Sequence, residues 1–587
     1  INLYAVRPDG TQLELLYGAQ SHSTGTDDGD IHFLEPRPAA NGRLLARAQP
    51  FQAADRGGQL LEIDVANYVE NTQPTLPNRG VLSGPAQLPA TVNDVTTLEG
   101  PSPGGRYGAA FPLRDGTDRL LVSWTQCRLL EDERIVPCTE ERLAASTAVT
   151  APPLYGIWIY DPRQRTQLPV VAPVEGVIFT QVVALQPRTL PPVLLDRVAG
   201  VDFASDLESE SVGILDIRSV YDLDGVDTAP GGIPAVSDPR QATAADRPAR
   251  FLRIEKAVSL PDDDVRDFAN SAFGVTAAFG MREILGYTQV EPDGSVRVKV
   301  PADVPFAITV LDAEGRRIGP RHENWLQVRA GQELRCNGCH DPDSDQSHGR
   351  ADLFAPAYGG ATTTGLPFPN TTPALFADFG ETMAQTRARI SCQTDCASLV
   401  PTLDLAFEDV WTDPVAAGRA ADASYAYRYV DLDTPAPASA DCQATWRAQC
   451  RATIHYEAHI HPLWSKPRLT LGADGVTVLA DDTCTTCHSD RDVAGAPQVP
   501  AGQLLLTDDP SSDEPDHKVA YRELLVADVD PPPLLAGRAR ESVRFFAKFG
   551  PGGSHQGRLT PAELKLVSEW VDVGAQYFND PFVAPLD

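Results

Sequence analysis

Apolar and polar positions alternate most regularly at Val296-Arg297-Val298-Lys299-Val300, the period-two pattern of a half-buried strand. Asp293-Gly294 marks a turn before it. Phe306-Ala307-Ile308-Thr309-Val310-Leu311 and Trp325-Leu326-Gln327-Val328 follow as further strands, separated by the turn Asp312-Ala313-Glu314-Gly315. The pattern predicts a small antiparallel β domain over residues 256–330.

Upstream, Asn2-Leu3-Tyr4-Ala5-Val6, Leu61-Glu62-Ile63-Asp64-Val65 and Gly156-Ile157-Trp158-Ile159-Tyr160-Asp161 each run from alternating apolar residues into a polar turn and a second strand-like run. Repetition of strand, turn and return strand predicts a β-propeller-like domain over 1–255, with a β-sandwich carrying long loops as the other reading. Residues 331–450 shift to Gly, Thr, Asp, Pro and Ala with little periodicity, as in a region organised around something other than its own core. Residues 451–587 read as more helical. Thr560-Pro561-Ala562-Glu563 is a capping box with Pro at the first helical position, and Leu564, Val567 and Val571 make an apolar stripe as far as Gly574.

Composition narrows the function. The 587 residues carry 49 Lys plus Arg against 80 Asp plus Glu, a formal charge of −31. Nucleic acid and anionic membranes call for the opposite sign, so neither is expected as a partner. No apolar run approaches the roughly 18 residues of a membrane span. The chain begins at Ile1 rather than Met, and the expectation is a processed or incompletely represented N-terminus whose export signal is already lost.

The ten cysteines are informative through their spacing. Cys336-Asn337-Gly338-Cys339-His340 and Cys484-Thr485-Thr486-Cys487-His488 are both C-x-x-C-H, the attachment signature of c-type haem. Two thiols one helical turn apart reach the two vinyl groups of a porphyrin, and the adjacent His supplies the proximal nitrogen. A zinc site shared by the four thiols and a thioredoxin-like pair are the competing readings, and the His after each motif argues against both. The expectation is therefore two covalent haems, with Cys336, Cys339, His340, Cys484, Cys487 and His488 as the binding residues and His340 and His488 as proximal ligands. Covalent attachment takes place outside the cytoplasm, so the protein is expected to be periplasmic or extracellular. The other six cysteines fall into close pairs, Cys127–Cys138, Cys392–Cys396 and Cys442–Cys450, expected as short disulfides suited to that compartment, although connectivity among the last four stays open.

A sixth ligand is needed at each iron unless one position is open. Met281 and Met383 are the only methionines, so bis-His ligation is expected, which holds the potential below that of a His/Met site. For the second haem His555 is favoured, in a Gly-rich loop five residues before Thr560, with His517 as its rival. For the first, His348, eight residues after His340, is set slightly ahead of His322. His455, His459 and His461 could serve either haem, and His22 and His32 complete the histidines. Acidic runs at Asp222–Asp227 and Asp508–Glu514 invite a calcium reading, but the first lacks the remainder of an EF-hand loop and solvated turns explain both more simply.

The expected fold class is thus multidomain: a mainly β N-terminal half, propeller-like plus a small β-sandwich, followed by mostly α or irregular cytochrome c-like modules, a first haem region over 331–450 and a C-terminal one over 451–587. Three stretches resemble the hydrazine synthase alpha subunit family: Leu285 to Ala302 leading to Gly331-Gln332-Glu333 and the first motif, Tyr456 to Trp464 ahead of the second, and Leu559 to Ala575. The resemblance covers about the C-terminal half. It implies a propeller-like part, a small β middle domain and two haem c sites. It does not carry over hydrazine synthesis, which in the family needs partner subunits and an unusual haem with a tyrosine ligand and nearby zinc. Tyr358 and Tyr456 are conceivable tyrosines with no motif to support either. Two functions follow as expectations. One is electron transfer between redox protein partners or other cytochromes, in a homo- or hetero-oligomer, with the propeller as a docking platform. The other is a haem oxidoreductase, hydrazine-synthase-like or peroxidase-like, with one open haem.

Overall fold

The computed structural model describes residues 3–11, 13–17, 31–39, 41–50, 57–65, 69–70, 73–74, 87–96, 100–145, 147–188, 190–322, 325–340, 355–526 and 531–587. The chain divides into two compact units, Ile1–Arg197 with His340–Ala355, and Val198–Cys339 with Pro356–Asp587.

The first unit is β-rich. Strands β1 (Ile31–Pro38), β2 (Leu44–Pro50), β3 (Gln59–Ile63) and β4 (Gln87–Pro89) form one antiparallel sheet in sequence order. Strands β5 (Arg106–Pro112), β6 (Leu120–Thr125), β7 (Tyr155–Asp161) and β8 (Thr166–Val171) form a second. The alternation read at Leu61–Ile63 and at 156–161 thus falls in strands. Leu45 and Leu60 of the first sheet join Tyr107, Val122 and Tyr160 of the second in one buried cluster.

The second unit contains two three-stranded sheets over a shared core. Strand β9 (Val212–Ile217) lies between β12 (Val296–Pro301), antiparallel, and β14 (Glu333–Cys336), parallel. Strand β10 (Phe251–Ala257) lies between β11 (Arg282–Gln289) and β13 (Ala307–Leu311), both antiparallel. Two expectations change here. The boundary at residue 255 cuts β10, which is paired on both sides. The neighbouring runs 296–301 and 307–311 also join different sheets rather than each other. Strand β12 is buried on nearly its whole length, because Arg297 is neutralised by Asp216 and Glu333, and Lys299 by Glu210, so its polar positions do not face water.

Helix α1 (Met383–Ser391) starts at the capping box Thr382/Gln385. The C-terminal part adds the single turn α2 (Cys484–Cys487), α3 (Val519–Leu525), α4 (Val543–Phe546) and α5 (Pro561–Val573). Helix α5 starts at the predicted capping box, with Thr560 accepting from the Glu563 N–H, and ends at Gly574. Val567 and Val571 are buried as the stripe requires, but so are Glu563, Lys565, Glu569 and Asp572, because α5 lies inside the largest core. That core also takes in Phe407, Tyr429 and Ile454, so residues from both expected haem regions share one interior. Among the described residues no helix is long and apolar enough to cross a membrane.

Candidate functional site

The second C-x-x-C-H motif forms one helical turn. The Asp481 carboxylate accepts the Thr483 N–H at 2.9 Å just ahead of it, and the His488 N–H closes the turn on the Cys484 carbonyl at 2.9 Å. Neither Cys484 nor Cys487 is in a disulfide; Cys484 is half-buried against the main core and Cys487 is exposed. The His488 Nδ1 lies 3.1 Å from the Leu504 carbonyl oxygen. That contact places the proton on Nδ1 and leaves the Nε2 lone pair for a metal, the usual arrangement of a ligating imidazole.

His555 faces it. The two ring centres are 6.0 Å apart and their planes differ by 31°. Two imidazoles that share one metal through nitrogens about 2 Å away put their ring centres about 6 Å apart. The His555 Nδ1 is engaged by the Ser554 hydroxyl at 2.8 Å, and Phe549 lies against the ring at 5.6 Å. Burial holds both imidazoles below their ordinary range, so each stays neutral and able to donate a lone pair near pH 7. The loop is set by its own backbone: the His555 N–H donates to the Lys548 carbonyl at 2.8 Å, and a Cβ on Gly553 would fall 2.3 Å from that oxygen and 2.5 Å from the Ala547 carbonyl. Gly553 is needed for this close approach of the chain to itself. Sequence reasoning missed Leu504 and Ser554; a main-chain carbonyl carries no sequence signature, and Ser554 was legible only as a loop residue.

The first motif is built differently. Cys336 ends β14, and its carbonyl accepts the Arg218 N–H at 2.9 Å. The Cys339 N–H donates to the Asp222 carbonyl at 2.7 Å. The two cysteines therefore follow the path of 217–222 as strand and turn, and the expectation of a helical turn fails here. A Cβ on Gly338 would fall 2.2 Å from the Asp222 carbonyl oxygen. Both thiols are outside disulfides. The division into two units falls between Cys339 and His340. His348 and His22 lie outside the described residues. Tyr358 packs half-buried against the core cluster that Cys336 also borders, and burial pushes its phenol up. Its carbonyl accepts from the Arg218 guanidinium at 3.2 Å.

Several other candidates are committed elsewhere. His517 is buried between Tyr577 and Tyr521, with ring centres 4.5 and 4.8 Å away. Its Nε2 lies 2.7 Å from the Ser271 carbonyl and carries the proton there, while its Nδ1 is buried without a hydrogen-bond partner. His459 Nδ1 accepts the His455 N–H at 2.9 Å, and His455 Nδ1 accepts the Asn579 N–H at 3.3 Å. Each uses its lone pair within the chain, so the neutral rings have none to give a metal. His461 Nε2 lies 3.2 Å from Asp508. Tyr456 is fully buried in an aromatic cluster and its hydroxyl accepts from the Trp464 indole at 3.3 Å, which makes it a core residue.

The three disulfides form as paired in the sequence, Cys127–Cys138, Cys392–Cys396 and Cys442–Cys450. The acidic runs are turns. Asp222 accepts from the Gly225 and Ala357 N–H groups at 2.8 and 2.7 Å, Asp227 accepts from Ala229 and Ile233 at 3.0 and 2.7 Å, and Asp508 and Asp513 pair with Lys518 and Arg522. Among the described residues no group of three or more His, Cys, Asp or Glu is arranged to hold a metal ion, so calcium gains no support.

Residues 249–341 match the family described as hydrazine synthase alpha subunit middle domain. The resemblance drawn from the sequence is borne out over that span, which holds β10 to β14 and the first motif. The chain is also similar to a solved structure, hydrazine synthase of Kuenenia stuttgartiensis, at 16% identity and a TM-score of 0.48 over 100% of this chain and 66% of that one. No curated protein matches the chain.

Proposed function

We propose that this chain is an exported c-type cytochrome with two covalent haems, and that it transfers electrons between redox partners. The observation that carries the reading is the His488–His555 pair, 6.0 Å between ring centres, beside two thiols left out of every disulfide. Haem c supplies an iron that cycles between ferric and ferrous states. The chain's residues do the rest. Cys484 and Cys487 fix the group, Leu504 orients His488, and Ser554 with Phe549 orients His555. Two imidazoles favour the ferric state relative to a His/Met pair. The three disulfides support an oxidising compartment. The four-stranded meanders of the first unit support a propeller-like docking platform, and its partners would be other cytochromes or redox subunits.

For the first haem, His340 is the proposed proximal ligand, with His348 or His322 opposite. An oxidoreductase with one open haem is the second reading, favoured by the half-buried Tyr358 beside the Cys336 cluster and by the strand geometry of that motif. Intact mass after denaturation tests haem content: two haems are expected, and one or none would refute the proposal. Electron paramagnetic resonance of the oxidised protein separates the readings, since two low-spin centres support electron transfer and one high-spin centre that binds cyanide supports catalysis.

A further inference from the structure

We infer that ordered water occupies a closed polar seam between helix α5 and the sheet of β10, β11 and β13. One row across that sheet is Tyr287, Arg253 and Thr309, directly paired in register. Opposite it, α5 presents Lys565, Ser568, Glu569 and Asp572, spaced three, four and seven residues on from the first and so on one helix face, all buried.

Part of this seam is satisfied within the chain. Glu569 accepts from the hydroxyls of Tyr287 and Tyr429 at 2.6 and 3.0 Å, and Lys565 pairs with it at 2.6 Å. Arg253 is different. Its side chain is fully buried, yet none of its three nitrogens has a hydrogen-bond partner in the chain. Glu255 Oε2 is 3.3 Å from Nε and poorly aligned, and Asp572 Oδ2 is 3.7 Å from Nη1. Charge-assisted N–H···O bonds close to about 2.7–2.9 Å, so both contacts are too open. Glu255 Oε2, Thr309 Oγ1 and Ser568 Oγ are also buried without a partner.

A guanidinium with unmet donors is costly to bury, and so is a carboxylate oxygen with an unmet lone pair. The occupant must accept from Arg253 and donate to Glu255. A halide could only accept, and it would face the Glu255 and Asp572 carboxylates. A cation could not accept from the guanidinium and would be repelled by it. Water does both, and it bridges contacts as open as the 3.7 Å between Arg253 and Asp572. The seam therefore seats α5 on the sheet through a bridged Arg253–Asp572 pair. This inference is independent of the haem assignment.

A crystal structure of the haem-loaded full chain that resolves solvent, with a parallel bromide soak, tests it. Solvent peaks are expected within hydrogen-bond distance of Arg253 and of Thr309 Oγ1, with no anomalous bromide signal beside them. Thr309→Val should lose the nearest peak and keep the rest. A bromide signal at Arg253, a seam without solvent density, or a Thr309→Val crystal that keeps every peak would each overturn the inference.

Discussion

Cys484–Cys487 makes a helical turn whose His is oriented by a carbonyl and faced by a second imidazole, whereas Cys336 ends a strand and Cys339 is held by the backbone of residue 222. The same five-residue spacing is thus served by two backbones. In the second motif the local helix places both thiols, and His555 arrives on a loop anchored to Lys548. In the first, the thiols are placed by long-range pairing of β9 with β14, residues 214–217 against 333–336. The spacing brings two thiols and a His together, and the surrounding fold decides what lies around them.

Removing the thiols should give the largest effect and separate the two sites. Cys484→Ala with Cys487→Ala should cost one haem by intact mass, and Cys336→Ala with Cys339→Ala should cost the other. Loss of both haems from either pair would mean the sites are interdependent. Next in size, Gly553→Ala and Gly338→Ala each drive a Cβ into a carbonyl oxygen, at 2.3 and 2.2 Å respectively. A clash of that kind costs on the order of 1–3 kcal/mol. Gly553→Ala should make the second haem partly high-spin and leave the first unchanged, and Gly338→Ala should do the reverse. Visible spectra of each variant check the pattern.

What could be read in advance follows the range of the interactions involved. The Gly-rich loop before Thr560 and the capping box are local, and they are what set His555 apart in the sequence. The close cysteine pairs are local too. The surroundings of His517 were not legible because its burial by Tyr521 and Tyr577 is a tertiary fact, as is the Nδ1 acceptor role of His459. The strand geometry of the first motif was hidden because it depends on a partner more than a hundred residues away (336 − 217 = 119). The half-buried pattern at 296–300 misled for the same reason: Asp216, Glu333 and Glu210 neutralise its charges from elsewhere in the chain.

A smaller effect checks that His459 belongs to the fold rather than to a haem. Burial first, and His455 beside it, lower its imidazole to about 4. The unfolded ring takes its proton near pH 6.5, so as pH falls from there toward 4 the unfolded state binds more protons and stability drops, by up to about 3 kcal/mol. Above pH 7 this contribution is fully present and flat. Thermal melts between pH 7 and 4 should show the slope, and His459→Gln should flatten it without altering either haem spectrum. Smallest of all, Thr560→Ala removes the N-cap of α5 and should cost about 1 kcal/mol in a denaturant melt, with both haems retained.

The most direct test uses the Cys336→Ala/Cys339→Ala protein, which keeps only the second haem, with and without His555→Ala. Electron paramagnetic resonance of the oxidised parent should show a single low-spin centre, and the His555→Ala form should be high-spin and bind cyanide. A signal that stays fully low-spin in the His555→Ala form would show that another group completes the iron, and would contradict the pairing of His488 with His555.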